Sequence, residues 1–233
     1  MPRSRLTTIF TKLPRAGEVK TRLCPPLEPL EAAELAEALL ADCITRCLGS
    51  SAFRTQLAIH PPGAQSWFRA RFPELAEIVA QEGAELGARL AAHFETSFAR
   101  EPLRSLVVLG SDAPEVPLER VLEAHARLAD GADLVLGPDT GGGYYLVGLA
   151  RPCGALFTEV AMSTPGMYAR TRELAHERRL VVAELEFGHD VDTPADLERL
   201  RARAGAARGR ELAEVRRWFA RYEGRGTSLT AVP

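Results

Sequence analysis

The chain has 233 residues, 46% of them apolar, which is enough for one substantial buried core and too little to demand two. A formal net charge of −2 excludes the broad basic field that attracts nucleic acid. The apolar runs are far shorter than the roughly 20 residues that span a bilayer, and the segment after Arg3 and Arg5 lacks the h-region of a signal peptide. The expectation is a soluble cytoplasmic protein with no nucleic-acid and no membrane partner.

Residues 5–10, RLTTIF, read as a first strand, followed by the loop PRAGEVKTRL at 14–23. A helix is expected over roughly 29–48, with Ala32, Leu35, Ala36, Leu39 and Cys43 on one face. RTQLAIH (54–60) is a second strand, stopped by Pro61 and Pro62, and LAEIVAQ (75–81) gives a weaker strand signal because of its glutamates. A helix over 86–98 precedes SLVVLG (105–110), a continuous apolar run of the kind buried on both faces of a sheet. Pro117 opens a helix to about residue 129, strands follow at 132–137 and 144–149, then a helix near 166–178 and a strand at 179–186. Thr193-Pro194-Ala195-Asp196 is a helix start, with Thr193 as cap and Asp196 complementing the dipole. Residues 207–224 form an Arg-rich amphipathic segment before a frayed tail. Strand–helix alternation of this kind predicts an α/β fold, a mostly parallel Rossmann-like sheet covered on both faces.

The four cysteines do not make a disulfide framework in a chain this long. Cys43 and Cys47 share one helix face, and with the histidines scattered they read as small buried side chains rather than metal ligands.

In such sheets ligands bind beyond the carboxyl ends of the strands, and four loops there carry chemistry. In the first, Gly17 permits a turn or a close approach, while Lys12, Lys20 and Arg22 suit phosphate oxygens. By charge alone a solvated basic turn fits equally well. In the second, GSDAPEVP (110–117), Ser111 gives a tight exit and Asp112 projects from the end of the most buried strand, where it can hold Mg²⁺ or cap a turn. In the third, GPDTGGGYYLVGL (137–149), three consecutive glycines at 141–143 suit a backbone lying against a ligand or an anion-binding concavity, with Asp139 the nearby carboxylate. In the fourth, FGHDVDTPADL (187–197), Asp190 and Asp192 are alternate residues, so in an extended segment they point the same way as a metal or general-base pair.

These stretches, with QEGAELGARL (81–90), resemble in order the motifs of a bacterial family of GT-A-like transferases often labelled arsenosugar-biosynthesis glycosyltransferase. The resemblance covers about residues 5–200. It implies a three-layer α/β/α sandwich of the nucleotide-diphospho-sugar transferase type, related in kind to molybdenum-cofactor and phospholactate guanylyltransferases. It divides the chain into a transferase-like domain over 1–204 and a C-terminal Arg-rich helix and tail over 205–233. By position it gives Lys12, Gly17, Lys20, Arg22, Ser111, Gly142 and Gly143 to the nucleotide phosphates. Asp112, Asp190 and Asp192 fall to catalysis, and Asp112 and Asp190 to a Mg²⁺ or Mn²⁺ ion. Two positions depart from the family pattern: Gly141 stands where a carboxylate is usual, and Met162 where Trp is usual.

The implied function is Mg²⁺-dependent glycosyl transfer from a nucleotide-sugar to a small-molecule acceptor. Nucleotidyl transfer from an NTP to a phosphorylated small molecule uses the same site. A non-catalytic nucleotide-binding protein is the third reading, and the C-terminal helix leaves room for a homodimer contact.

Overall fold

The computed structural model describes residues 4–224; Arg3 and the tail expected beyond residue 224 lie outside the described residues. Seven strands, β1 (Ser4–Lys12), β2 (Arg54–His60), β3 (Ile78–Ala80), β4 (Leu103–Gly110), β5 (Leu134–Pro138), β6 (Tyr144–Leu149) and β7 (Val182–Glu184), form one sheet in the order β3-β2-β1-β4-β6-β5-β7. Only β6 runs antiparallel to its neighbours, β4 and β5. Six strands therefore end at one edge, and the strand order reverses between β1 and β4.

The sheet is apolar on both faces because both are covered. Helices α1 (Pro29–Leu48), α2 (Gln65–Arg71) and α4 (Leu118–Ala129) bury Leu40, Phe68 and Val121 against Ile9 and Leu57. Helices α3 (Leu86–Arg100), α5 (Ala155–Thr158) and α6 (Met167–Glu177) bury Phe94, Leu156 and Leu174 against Phe10 and Val108. The adjacent Thr7 and Thr8 lean to opposite faces and tie one helix layer each. Thr7 Oγ1 lies 2.9 Å from His125 Nε2 of α4, and Thr8 Oγ1 lies 2.9 Å from His93 Nε2 of α3. Burial holds both imidazoles neutral, at about 3 for His125 and about 4 for His93. These histidines are internal struts.

The three-layer α/β/α expectation holds, with local differences. Helix α2 went unread because seven residues give less than two full periods, although Phe68 is fully buried. The strands expected at 75–81 and 179–186 shorten to the three residues that find partners on β2 and β5. The segment expected at 207–224 is helical only as α8 (Ala213–Gly224). All four cysteines are free, with Cys43 and Cys47 buried. Among the described residues no helix is long and apolar enough to cross a membrane.

A third cluster lies on the outer side of α1. Leu35 and Leu39 meet Leu197 and Leu200 of α7 (Pro194–Ala206) and Val215, Trp218, Phe219 and Tyr222 of α8. Asp42 of α1 accepts from the Glu214 and Val215 amides, each at 3.0 Å, and caps α8. The boundary expected at 204/205 falls inside α7, and the apolar face of the last helix is spent within the chain.

Candidate functional site

The crevice between the ends of β1 and β4 gathers side chains from three loops. After β1 the backbone turns through left-handed geometry at Gly17 (φ 79°) and again at Lys20 (φ 49°). This sends the Lys20 ammonium between two carboxylates, 3.2 Å from Asp112 Oδ2 and 2.8 Å from Asp192 Oδ1, with 9% of its side chain exposed. Asp112 folds back over the strand end: a Cβ on Gly110 would lie 2.8 Å from Asp112 Oδ1 and would push that carboxylate aside. The Val191 amide donates to Asp112 O at 3.1 Å, joining the late loop to the β4 loop. Arg22 Nη1 stands 3.6 Å from Asp192 Oδ2 with 75% of its side chain exposed. Ser111 Oγ donates to Thr11 Oγ1 at 3.3 Å.

Charge divides the carboxylates. Burial opposes the Lys20 charge, but Asp112 and Asp192 outweigh it and raise its pKa. Lys20 in turn holds Asp112 below the usual carboxylate range, against the opposing effect of burial. Asp190 goes the other way. Burial, then the charges of Asp192, Asp139 and Asp112, push it up to about 6, and Lys20 offsets only part of this. The pair of alternate aspartates thus splits into a salt-bridged member, Asp192, and a member whose pKa is raised towards neutrality, Asp190.

The glycine loop corrects the expectation for Gly142 and Gly143. Asp139 is buried, and its Oδ1 accepts from the Gly141 amide at 2.7 Å and the Gly143 amide at 3.0 Å. The concavity expected for a phosphate is filled by the chain's own carboxylate, because the amides turn inward. Gly142 has φ 87° and its Cβ would lie 2.0 Å from Pro165 O; a Cβ on Gly143 would lie 2.6 Å from Asp139 Oδ2. Asp139 also supplies a carboxylate two residues from Gly141, where the family pattern has one. Nearby, Gly137 and Gly188 make room for the Tyr145 ring, whose hydroxyl donates to Glu186 O at 3.0 Å.

Of the three cations of the first loop only Lys20 and Arg22 make ion pairs, although the Lys12 charge also reaches Asp112. Lys20 and Arg22 face Asp192, whereas exposed Lys12 ends β1 in register with His60 of β2. One contributor carried no sequence signal: Arg46 of α1 donates from Nη1 to Pro114 O at 2.6 Å and braces the loop that carries Asp112. An arginine on an otherwise amphipathic helix reads as solvated until the packing is known.

Among the described residues no group of three or more His, Cys, Asp or Glu is gathered to hold a metal ion by itself. Asp112, Asp139, Asp190 and Asp192 outnumber the cations that act on them, Lys20, Arg22 and Lys12, and the raised Asp190 shows the excess of negative charge. That donor chemistry suits Mg²⁺ or Mn²⁺ in the mode that uses one or two carboxylates, here Asp112 alone or with Asp190, and completes the shell with phosphate oxygens and water.

The fold is shared with solved structures. A protein from Desulfovibrio desulfuricans G20 assigned as a nucleotide-diphospho-sugar transferase superposes with a TM-score of 0.84 at 29% identity, over 94% of this chain and 96% of that one. A cytidylyltransferase from Leptospira borgpetersenii serovar Hardjo-bovis (strain JB197) gives 0.57 at 11% identity, over 99% of both chains. CMP:2-keto-3-deoxy-manno-octonic acid synthetase complexed with CTP gives 0.55 at 13% identity, over 87% and 99%. The last two share the fold alone. No curated protein matches the chain by sequence. A family model described as uncharacterized protein conserved in bacteria (DUF2064) matches residues 43–164, just over half of the chain. That span runs from within α1 to the residues before α6 and includes Asp112 and the Asp139 loop. The chain, with this sheet and these loops, belongs to that bacterial family.

Proposed function

We propose that the protein is a nucleotide-dependent transferase that moves a glycosyl group from a nucleotide-sugar to a hydroxyl of a small-molecule acceptor. Likeness to nucleotide-diphospho-sugar transferases and nucleotidyltransferases supports the wider class. The observation that carries the narrower reading is Asp190, a half-buried carboxylate raised to about 6 beside three other aspartates. A group poised there can take the proton of an acceptor hydroxyl near neutral pH. The acceptor oxygen then bonds the sugar carbon, the carbon–oxygen bond to the diphosphate breaks, and the nucleotide diphosphate leaves. Lys20 fixes Asp112 and Asp192, and exposed Arg22 offers its guanidinium fork to the departing phosphates. A divalent ion on Asp112 would supply further charge neutralisation there, leaving Asp190 free to act as the base.

Nucleotidyl transfer is the second reading. Its phosphate acceptor is already anionic and asks for no base, which leaves Asp190 without a proton to take. Thermal-shift measurements with nucleotide-sugars and NTPs, each with Mg²⁺, separate the two. A ligand at 100 times its Kd adds about 2.7 kcal/mol, several degrees for a chain of this size. Stabilisation by NTPs alone favours nucleotidyl transfer. Binding without turnover over the acceptor panel favours a non-catalytic nucleotide-binding protein.

Two outcomes are expected here. Arg22→Ala weakens nucleotide-diphosphate binding by about 1.5–3 kcal/mol, the scale of a charge-assisted hydrogen bond; a calorimetric loss below about 0.5 kcal/mol returns Arg22 to a solvated turn. Asp190→Asn raises the melting temperature at pH 8 but not at pH 4. The folded pKa of Asp190, about 6, lies above the 3.8 of an unperturbed aspartate, so folding binds its proton more tightly. Its ionised form therefore costs stability above pH 6, and that cost fades as pH falls towards 4. Equal effects of the substitution at both pH values would rule out the carboxylate crowding.

A further inference from the structure

A second group of polar side chains occupies the same sheet edge, on the α3 side. Lys12 and His60 are register partners at the ends of β1 and β2. Two residues earlier, Phe10 and Ala58 belong to the core beneath α3, so strand alternation sends Lys12 and His60 out on that side. Arg89 lies in the first turns of α3; its Nη2 donates to Ala84 O at 3.1 Å, while its Nε is buried without a partner. His60 Nδ1 is also buried without a partner. No ion pair joins Lys12 or Arg89 to a carboxylate among the described residues. Helix α3 has no side-chain cap at Glu85, so its first amides are unclaimed by a side chain. Gly83, at φ 127°, brings the preceding loop onto the helix end, where a Cβ would lie 2.9 Å from Arg89 N.

Two cations, two orphaned nitrogens and a helix N-terminus thus meet with no carboxylate in ion-pair contact, although the Lys12 charge also reaches Asp112. Lys20 and Arg22, in contrast, are already engaged by aspartates. We propose that Lys12, His60, Arg89 and the N-terminus of α3 form an anion subsite, adjoining the aspartate cluster on its Lys12 side, that takes a phosphoryl group. The guanidinium fork and the helix amides match phosphate oxygens, and the ammonium supplies a point charge. Burial, then the charges of Arg89 and Lys12, already hold His60 below its usual pKa, so an arriving dianion would raise it. The phosphoryl group can belong to a phosphorylated substrate or to a free phosphate ion. The inference stands apart from the glycosyl-transfer reading.

The test is NMR titration of the His60 ring proton, identified by its loss in His60→Gln. It is run without metal so that the aspartate cluster contributes nothing, using inorganic phosphate, pyrophosphate and glucose 1-phosphate as probes. The expected result is a saturable shift with a raised His60 titration midpoint, and an affinity about tenfold lower in both Arg89→Gln and Lys12→Gln. Asp112→Asn should leave the shift in place, so failure of this subsite and failure of the proposed reaction are read separately. Saturation by inorganic phosphate or pyrophosphate identifies a free ion as sufficient; a response to glucose 1-phosphate alone identifies a substrate group. If no probe moves His60 below about 10 mM, or if both Arg89→Gln and Lys12→Gln bind like the native protein, the subsite is overturned. Should one of the two variants fail to fold, the other decides.

Discussion

Asp112→Asn is expected to remove metal-dependent nucleotide binding while leaving the fold intact. The amide matches the carboxylate in shape, and the link to the late loop survives because it uses the backbone carbonyl of Asp112. Lys20 keeps Asp192 at 2.8 Å, so its ammonium is not left bare. What disappears is the one carboxylate that both follows the most buried strand and is held ionised by Lys20. The expected loss is about 1.5–3 kcal/mol of nucleotide-diphosphate affinity in Mg²⁺, on the scale of a lost charged contact, or roughly 10–150-fold. Calorimetry with Mg²⁺ and then with a chelator reads it directly. The native protein should bind more tightly with metal, and the variant equally in both. A variant that retains the metal dependence would remove Asp112 from the metal site.

Trp218→Ala should produce the largest loss of stability, about 3–5 kcal/mol for deleting a buried indole, or about 6–20 °C in melting temperature for a chain of this size. Trp218 is 1% exposed and stacks on Tyr222 with ring centroids 5.0 Å apart. Its cluster also contains Leu23 and Val191. Leu23 directly follows Arg22 and lies three residues beyond Lys20, while Val191 stands between Asp190 and Asp192. The helix that the sequence set apart as a C-terminal segment therefore floors both loops of the candidate site. The variant should weaken nucleotide-diphosphate binding as well as lower the melting temperature. A loss under about 1 kcal/mol in chemical denaturation would mean that α8 is an appendage.

The strands were legible wherever burial was two-sided. SLVVLG is a continuous apolar run and so had to lie inside a sheet, whereas RLTTIF read only as a strand and its threonines are buried against His125 and His93. The edge strands were overextended, since hydrophobicity continues past the last paired residue. The order of the loops was legible too, because strand–helix alternation puts every strand-to-helix turn on one edge. The triglycine run was read as backbone against a ligand or as an anion-binding concavity, and in the structure Pro165 and Asp139 stand where Cβ atoms on Gly142 and Gly143 would go. Its occupant was not legible, because an open concavity and one filled by Asp139 require the same glycines.

The amino-acid sequence alone determined the layered fold, the edge that carries the chemistry and the residue types available there, since these follow from periodicity and from turn residues at fixed offsets. Only the tertiary structure decided how the charges pair. Lys20 reaches Asp112 and Asp192 across 92 and 172 residues, Lys12 stands beside His60 with its charge still felt at Asp112, and Asp190 is left with a raised pKa. Ion pairs and pKa shifts depend on distance and burial in space, which no spacing along the chain encodes.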